Sequence, residues 1–415
     1  MAKIILSTGI GRLHLVQSAV AILNKNVDLQ LLIGWVPKHP DAWYVKAIAK
    51  MIGHKNLVAG LKKRNVPELE NRIRTIAFAE FFTQFLFLLS KKTHLLTHEK
   101  AARIGWLFWG WLSSFKLNNA DIFHVRSCAG QGNAIKIAHK RGMKVVVDHS
   151  IAYPTYFDEH LKPEYEAEDM YPELVSSNPL WQLAIKDCQS ADEVLVNSYF
   201  VKQTFLNNGY PEEKIKVAYL GVRTDFVGLK TLYNISGTLK LLFTGDFSIR
   251  KGAKYLLQAC QILDTRNLDY ELVVVGTNQS AKSLIERYPI RNLKLVGHIP
   301  QDELKMFLSR SDIYVFPSLC EGCASSGMEA LAAGLPVITT FESGLPVENE
   351  KTGLLIPAKN PETIADAIFR YINDSALRET VGKNASAMIA SDYTWDAYAQ
   401  QVNTIYGELL AASGK

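Results

Sequence analysis

Short apolar, β-branched runs alternate with helical stretches along this chain, and the alternation is played through twice. In the first half Lys3–Ser7, Leu29–Ile33, Ile122–Val125, Lys144–Val147, Glu193–Val196 and Ile215–Ala218 have the length and composition of buried strands. In the second half Leu239–Phe243, Glu271–Val275, Leu293–Val296, Asp312–Phe316 and Pro336–Thr340 repeat the theme, with helical spacing over Tyr255–Leu263. Apolar strands separated by helices predict a parallel sheet with helices on both faces. A chain of 415 residues is too long for one core and predicts two such α/β domains. Gly228, Asn234 and Gly237 break the periodicity between Arg223 and Lys240. The predicted units are therefore 1–225 and 226–393. A closing helix lies within 394–415, where Tyr398, Val402, Ile405, Tyr406 and Leu409 recur at helical spacing.

Composition narrows the functional classes. Shares of 48% hydrophobic and 21% charged residues are ordinary for a globular chain. A net charge of +5 suits phosphate-bearing ligands or an anionic membrane surface, and is too small to argue for nucleic acid. Met1 leads almost directly into a strand, without the segments of a signal peptide, so the expected location is the cytoplasm. Cys128, Cys188, Cys260, Cys320 and Cys323 are scattered, which fits a reducing compartment rather than a disulfide framework. Cys320-x-x-Cys323 lacks the two further ligands a zinc ion would need, and no metal site is expected.

The densest chemistry lies in residues 316–337. Glu321 and Glu329, eight apart, bracket the small residues Gly322-Cys323-Ala324-Ser325-Ser326-Gly327 between a buried strand and a helix start. Ligands of open α/β sheets bind at such strand ends. A helix N-terminus favours phosphate oxygens, and a neighbouring carboxylate can accept from sugar hydroxyls. The bland alternative is that Ser326-x-x-Glu329 is a capping box and Glu321 a solvated loop acid. The whole segment, Glu321, Glu329-Ala330, Ala332, Gly334 and Pro336-Val337, resembles the signature Glu-x7-Glu-Ala-x-Ala-x-Gly-x-Pro-Val of the retaining family 4 glycosyltransferases. That resemblance implies two Rossmann-like domains facing across a cleft (the GT-B fold), with the last helix crossing back onto the first domain. The implied reaction moves a sugar from a UDP- or GDP-sugar to an acceptor hydroxyl, in surface polysaccharide or glycolipid synthesis. It needs no metal and no cofactor besides the nucleotide-sugar co-substrate.

The resemblance also assigns roles. Gly245-Asp246-Phe247-Ser248-Ile249-Arg250-Lys251-Gly252 looks like the family's Gly-Arg-Leu-x-x-x-Lys-Gly, whose Arg and Lys clamp the diphosphate. Lys251 stands on the Lys position, while Asp246 occupies the Arg position and leaves Arg250 as the substitute cation. The bland reading is a solvated Arg-Lys pair. By analogy Gly245 and the N–H groups of Ser325, Ser326 and Gly327 meet the diphosphate and the donor sugar. Glu329 holds the ribose, Glu321 sits near the donor sugar, and Gly276, His298 and Ile299 lie at the nucleobase end. Gly9-Ile10-Gly11-Arg12 reads as the loop closing over donor phosphate and acceptor, with Gly11 on the donor side and Arg12 on the acceptor side. His149 faces the donor sugar, or is a satisfied structural histidine, and Arg126 is a lesser acceptor-side candidate. The usual proposal for this family is front-face substitution, in which the leaving phosphate helps to deprotonate the acceptor.

Residues 72–116 depart from an ordinary Rossmann half. The apolar runs Phe78–Leu89 and Ile104–Phe115, the latter with Trp106, Trp109 and Trp111, are flanked by Arg72, Arg74, Lys91, Lys92, Arg103 and Lys116. Each run is too short to span a bilayer. Two readings stand: interfacial helices that touch a membrane carrying a lipid-linked acceptor, or plain core helices beside the site of a glycan acceptor. Two rival functions are a nucleotide-sugar-binding protein that has lost turnover, motivated by Asp246, and a dehydrogenase using the Gly9–Gly11 loop. The second fails on its missing acid, since Leu29–Ile33 runs into Gly34-Trp35.

Overall fold

The computed structural model describes residues 2–10, 14–25, 27–51, 57–62, 64, 66–93 and 96–412. The first half forms β1 (Lys3–Ser7), β2 (Asp28–Ile33), β3 (Ile73–Thr75), β4 (Ile122–Arg126), β5 (Lys144–His149), β6 (Glu193–Val196) and β7 (Ile215–Val217). They assemble in the order β3-β2-β1-β4-β5-β6-β7. The second half supplies β8 (Leu239–Thr244), β9 (Tyr270–Val275), β10 (Leu293–Gly297), β11 (Ile313–Phe316), β12 (Val337–Thr339) and β13 (Leu354–Leu355), ordered β10-β9-β8-β11-β12-β13. Every described strand pairing is parallel. The central strands are buried almost throughout and need a helix layer on each face, and the Rossmann-like doubling expected from the alternation is what forms.

Strand order reverses between β1 and β4 in one sheet and between β8 and β11 in the other. Crevices open at the carboxyl ends of strands where the order reverses. The topology alone thus directs attention to Gly9 and Arg126 in one half, and to Gly245 and Pro317–Gly322 in the other.

The halves meet closely. Gly322 stands where a Cβ would lie 1.9 Å from the Ser150 carbonyl oxygen, so only glycine admits this approach. The Ser198 hydroxyl donates to the Gly322 carbonyl. Farther out, the Tyr255 hydroxyl donates to Glu164 Oε2 at 2.6 Å, and Glu168 pairs with Lys254 and Arg287, each at 2.9 Å. The helix Trp395–Ala411 follows an N-cap at Thr394, whose hydroxyl accepts from the Ala397 N–H at 3.1 Å. It buries Tyr398, Val402, Ile405, Tyr406 and Leu409 in one cluster with Ile4, Leu6, Leu15 and Val16 of the first half. Its Tyr406 hydroxyl is hydrogen-bonded to His124 Nδ1.

Helices Ala77–Thr93 and His98–Ser114 form a packed pair on the first half. One side is core: Trp109 is fully buried, and its indole N–H donates to Ser7 Oγ at 3.2 Å. Glu80 is also buried, which a helix so rich in Phe tolerates because Arg64 meets both carboxylate oxygens, at 2.6 and 2.8 Å. The other side is open: Phe78 is 66%, Phe85 58% and Phe115 60% exposed. The pair is thus neither wholly core nor wholly surface. Among the described residues, no helix is long and apolar enough to cross a membrane.

Candidate functional site

In the second half the site is built on two loops. Gly245 and Gly276 end β8 and β9 at φ +119° and +134°, and a Cβ on Gly276 would lie 2.1 Å from the Gly245 carbonyl oxygen. Side chains are excluded there, so backbone is left facing the crevice. Arg250 and Lys251 precede the helix Ala253–Thr265 and turn toward the signature loop. Arg250 Nη1 and Lys251 Nζ both approach Glu321 Oε1, at 2.8 and 3.2 Å. Arg250 Nη1 also donates to the Cys320 carbonyl at 2.8 Å, and the Arg250 carbonyl accepts from the Leu319 N–H at 2.9 Å. Burial works against the Arg250 charge, but Glu321 more than offsets it and raises the guanidinium's pKa. Lys251 Nζ lies 5.2 Å over the Phe316 ring and 3.1 Å from where a Cβ on Gly245 would be. These are not solvated cations; their side chains are 27% and 14% exposed.

Asp246, the departure in this loop, turns the other way. Its Oδ1 accepts from Thr277 Oγ at 2.7 Å and Ser280 Oγ at 3.0 Å, stitching the loop after β8 to that after β9. Partial burial raises its pKa, and the hydrogen bonds with the Lys251 charge outweigh that and hold it low.

Ser325 opens the helix Ser325–Ala333, with Ala324 at the N-cap and no side chain capping it. The capping-box reading of Ser326 and Glu329 is therefore not what forms. The Ser326 hydroxyl instead donates to the Thr244 carbonyl at 3.1 Å and accepts from Tyr314 at 3.2 Å, fixing the helix start to β8 and β11. Gly327 is buried against Leu345. Glu329 lines a cleft cavity of about 220 Å³ together with Ser325, Gln301, Arg223 and His14. Burial pushes its carboxyl up to about 7, Arg223 pulling it down and Asp225 adding to the rise. A larger cavity, about 330 Å³, shares Arg223 and Trp395 with it but lacks both signature acids. His298 is exposed and Ile299 half-buried on the loop after β10, and Gln301 is the residue of that loop's following helix that reaches the cavity.

In the first half His149 ends β5, is buried, and bonds Ser127 Oγ through Nδ1 at 3.1 Å. Burial pushes its pKa down to about 4, so it is a neutral imidazole at ordinary pH. Ser150, the next residue, is the one whose carbonyl meets Gly322, itself next to Glu321 in sequence. Arg126 ends β4 with its guanidinium 5.3 Å over the Trp106 ring. Gly11 and Arg12 lie outside the described residues.

His14, Arg223 and Gln301 escaped the reading of the sequence. His14 Nε2 pairs with Asp148 Oδ1 at 3.1 Å. Burial opposes the Asp148 charge, yet His14 and His124 hold its carboxyl well below the usual range. A histidine three residues past a Gly-rich loop was the available signal. Arg223 lies in the inter-lobe linker and carries no local signal at all. Cys320 and Cys323 are free, and burial pushes both thiols up. Among the described residues, no group of three or more His, Cys, Asp or Glu could hold a metal ion.

Two parallel-sheet, Rossmann-like domains facing across a cleft define the GT-B class. Residues 79–226 match the family described as Glycosyltransferase Family 4, and residues 233–388 that described as Glycosyl transferases group 1. The chain belongs to the glycosyltransferases of this group 1 and family 4 kind. It is 26% identical to the amylovoran biosynthesis glycosyltransferase AmsK of Erwinia amylovora, over 70% of each chain. To the putative colanic acid biosynthesis glycosyltransferase WcaL of Salmonella typhimurium it is also 26% identical, over 48% of this chain and 52% of that one. The chain thus spans little more than half the length of some curated relatives it matches. Among solved structures, Anabaena HepE in complex with UDP shares the fold, with a TM-score of 0.60, 14% identity, and coverage of 98% of this chain and 100% of that one.

Proposed function

We propose that the protein is a retaining glycosyltransferase that moves a sugar from a UDP- or GDP-sugar to an acceptor hydroxyl. The observation that carries this is the convergence of Arg250 and Lys251 on Glu321, next to the lobe contact at Gly322 and in the loop that leads to an uncapped helix N-terminus at Ser325. When the bond from the anomeric carbon to the diphosphate oxygen breaks, negative charge grows on the leaving group. Two cations and free N–H groups fixed in advance stabilise that charge. On the same face of the sugar the acceptor oxygen bonds to the anomeric carbon, and its proton passes to the departing phosphate oxygen. Glu329 accepts from the ribose hydroxyls, and Glu321 exchanges its cations for the diphosphate and turns to the sugar. With two cations supplied by the chain, the reaction needs no metal. Arg250 occupying the site also speaks against a protein that only binds nucleotide sugars, the reading Asp246 motivated.

The acceptor is a glycan or lipid-linked glycan of surface polysaccharide synthesis, a reading supported by the likeness to AmsK of amylovoran biosynthesis and WcaL of colanic acid biosynthesis. The open face of the helix pair docks at an anionic membrane surface on the cytoplasmic side. Its rings run on without a break, Phe78 to Phe108 at 5.7 Å, Phe108 to Trp111 at 5.7 Å and Trp111 to Phe115 at 5.2 Å. Residues 72–116 carry seven Lys and Arg against two Glu, one of them buried. The test of the reaction is incubation with UDP- and GDP-sugars and a membrane extract as acceptor source. Nucleotide release with retained anomeric configuration in the product, read by NMR, is the expected result. Failure of every such nucleotide to raise the melting temperature overturns the reading.

A further inference from the structure

The most unusual charge in the first half is Arg126. Its guanidinium is recessed at the end of β4, where the strand order reverses, and burial pulls its pKa down from the ordinary arginine value. Among the described residues no carboxylate forms an ion pair with it. Asp148, its partner in strand register, supports the charge at longer range but is itself paired with His14 at 3.1 Å, and burial outweighs its help. Recessed arginines are nearly always paired, because an uncompensated charge out of water is costly. What Arg126 has instead is the face of Trp106.

That platform is rigid. A Cβ on Gly9 would lie 2.1 Å from the Trp106 ring, so the indole rests directly on backbone. One turn on, Trp109 is tied to Ser7, and a Cβ on Gly132 would lie 1.9 Å from the Leu107 carbonyl oxygen. The helix bearing Trp106 is therefore clamped to the loop that follows Arg126. The ring offers that guanidinium no hydrogen-bond acceptor, so its N–H groups, which make no hydrogen bond or ion pair among the described residues, stay available for a two-pronged contact with an oxyanion. Burial lowers the His149 pKa, the Arg126 charge within reach lowers it further, and its Nε2 makes no hydrogen bond of good geometry among the described residues.

We infer that Arg126, on its Trp106 platform and beside His149, is an anion subsite, and that the acceptor carries a phosphate close to the hydroxyl that reacts. This rests on the glycosyltransferase reading for the word acceptor; the anion subsite itself does not. The donor diphosphate already has Arg250, Lys251 and a helix N-terminus in the other lobe. The helix that supplies Trp106 continues to Trp111 and Phe115 on the open apolar face, which favours a phosphate borne on a lipid.

The test is calorimetric titration of the full chain with glucose 1-phosphate, farnesyl phosphate in detergent micelles, and uncharged methyl glucoside. It is run on the parent, Arg126→Gln, Arg126→Lys and Lys251→Ala, with UDP and GDP binding measured in each. The expected result is that a phosphate probe binds the parent at least tenfold more tightly than Arg126→Gln. Arg126→Lys recovers part of the loss, and Lys251→Ala changes binding less than threefold. Tighter binding of the farnesyl than of the glucosyl phosphate assigns a lipid source, and the reverse a soluble one. The inference is overturned if neither phosphate binds the parent, if methyl glucoside binds equally well, or if Lys251→Ala abolishes binding while Arg126→Gln leaves it unchanged. Nucleotide binding retained in Arg126→Gln certifies its fold, and Arg126→Lys carries the comparison should the glutamine variant unfold. Absence of nucleotide binding in every sample would sink the donor reading and leave the Arg126 result to stand or fall by itself.

Discussion

At the carboxyl edge of the second sheet, Arg250 and Lys251 share one oxygen of Glu321. At the matching edge of the first sheet, Arg126 has a tryptophan ring beneath it and no carboxylate partner among the described residues. The same topology thus hosts two opposite solutions to holding cations out of water. In the second half the pair is neutralised by Glu321; under the proposed function, an incoming diphosphate would displace that carboxylate and free it to meet the sugar. In the first half the charge stays open and waits for its counter-ion. A site that exchanges partners at each turnover suits a leaving group that must also depart. A site whose cation takes up an anion without first displacing a carboxylate suits anchoring an acceptor.

The largest expected effect breaks this contrast at its catalytic end. Lys251→Ala removes one charge-stabilising contact and should cost about 2–4 kcal/mol of transition-state stabilisation, a loss of roughly thirty- to a thousandfold in kcat. Single-turnover rates at saturating donor are the measurement. A rate within a factor of three of the parent would mean that Lys251 serves only to pair Glu321.

A smaller effect separates the two signature acids. Glu329 has its carboxyl raised from 4.5 to about 7 by burial, so the folded protein holds a proton that the unfolded chain has released. Stability contributed by that proton is fully present below about pH 4.5 and is lost as pH rises through 7. Ribose recognition should run the opposite way, since the ionised acid is the better acceptor. Nucleotide affinity is expected to rise about tenfold from pH 6 to pH 8 while the melting temperature falls, and Glu329→Gln should flatten both trends. Parallel trends, or an unchanged affinity in the glutamine variant, would take Glu329 out of the ribose role.

The same contrast explains what could be read in advance. The second-half site was legible because its residues sit in two short segments, 245–252 and 321–329, whose spacing is enforced by a strand, a turn and a helix start. The first-half edge is assembled from positions 9, 106, 126 and 149, which come together only through the sheet order, so local pattern gave Arg126 little weight. Strands β3 and β13 went unread because they are three and two residues long at sheet edges, too short for periodicity to register. The helix pair at 77–114 was ambiguous for a physical reason: one apolar side feeds the core and the other faces out, and composition cannot separate them.

Asp246 offers the finest cut between the two designs. A negative charge where a cation was expected reads from sequence as a damaged diphosphate clamp, but in the fold it is a tie between the loops after β8 and β9. Asp246→Ala should therefore cost only about 0.5–1.5 kcal/mol of stability, the usual scale for lost hydrogen bonds, with a severalfold drop in kcat as the Gly245 loop loosens. Thermal denaturation and steady-state rates measure the two. A rate that rises on removing the acid would mean that its charge opposes the diphosphate and that this half of the cleft works against its own donor. A melting temperature unchanged within error would deny it the tie, and leave the approach of Gly276 to Gly245 as what holds the two loops together.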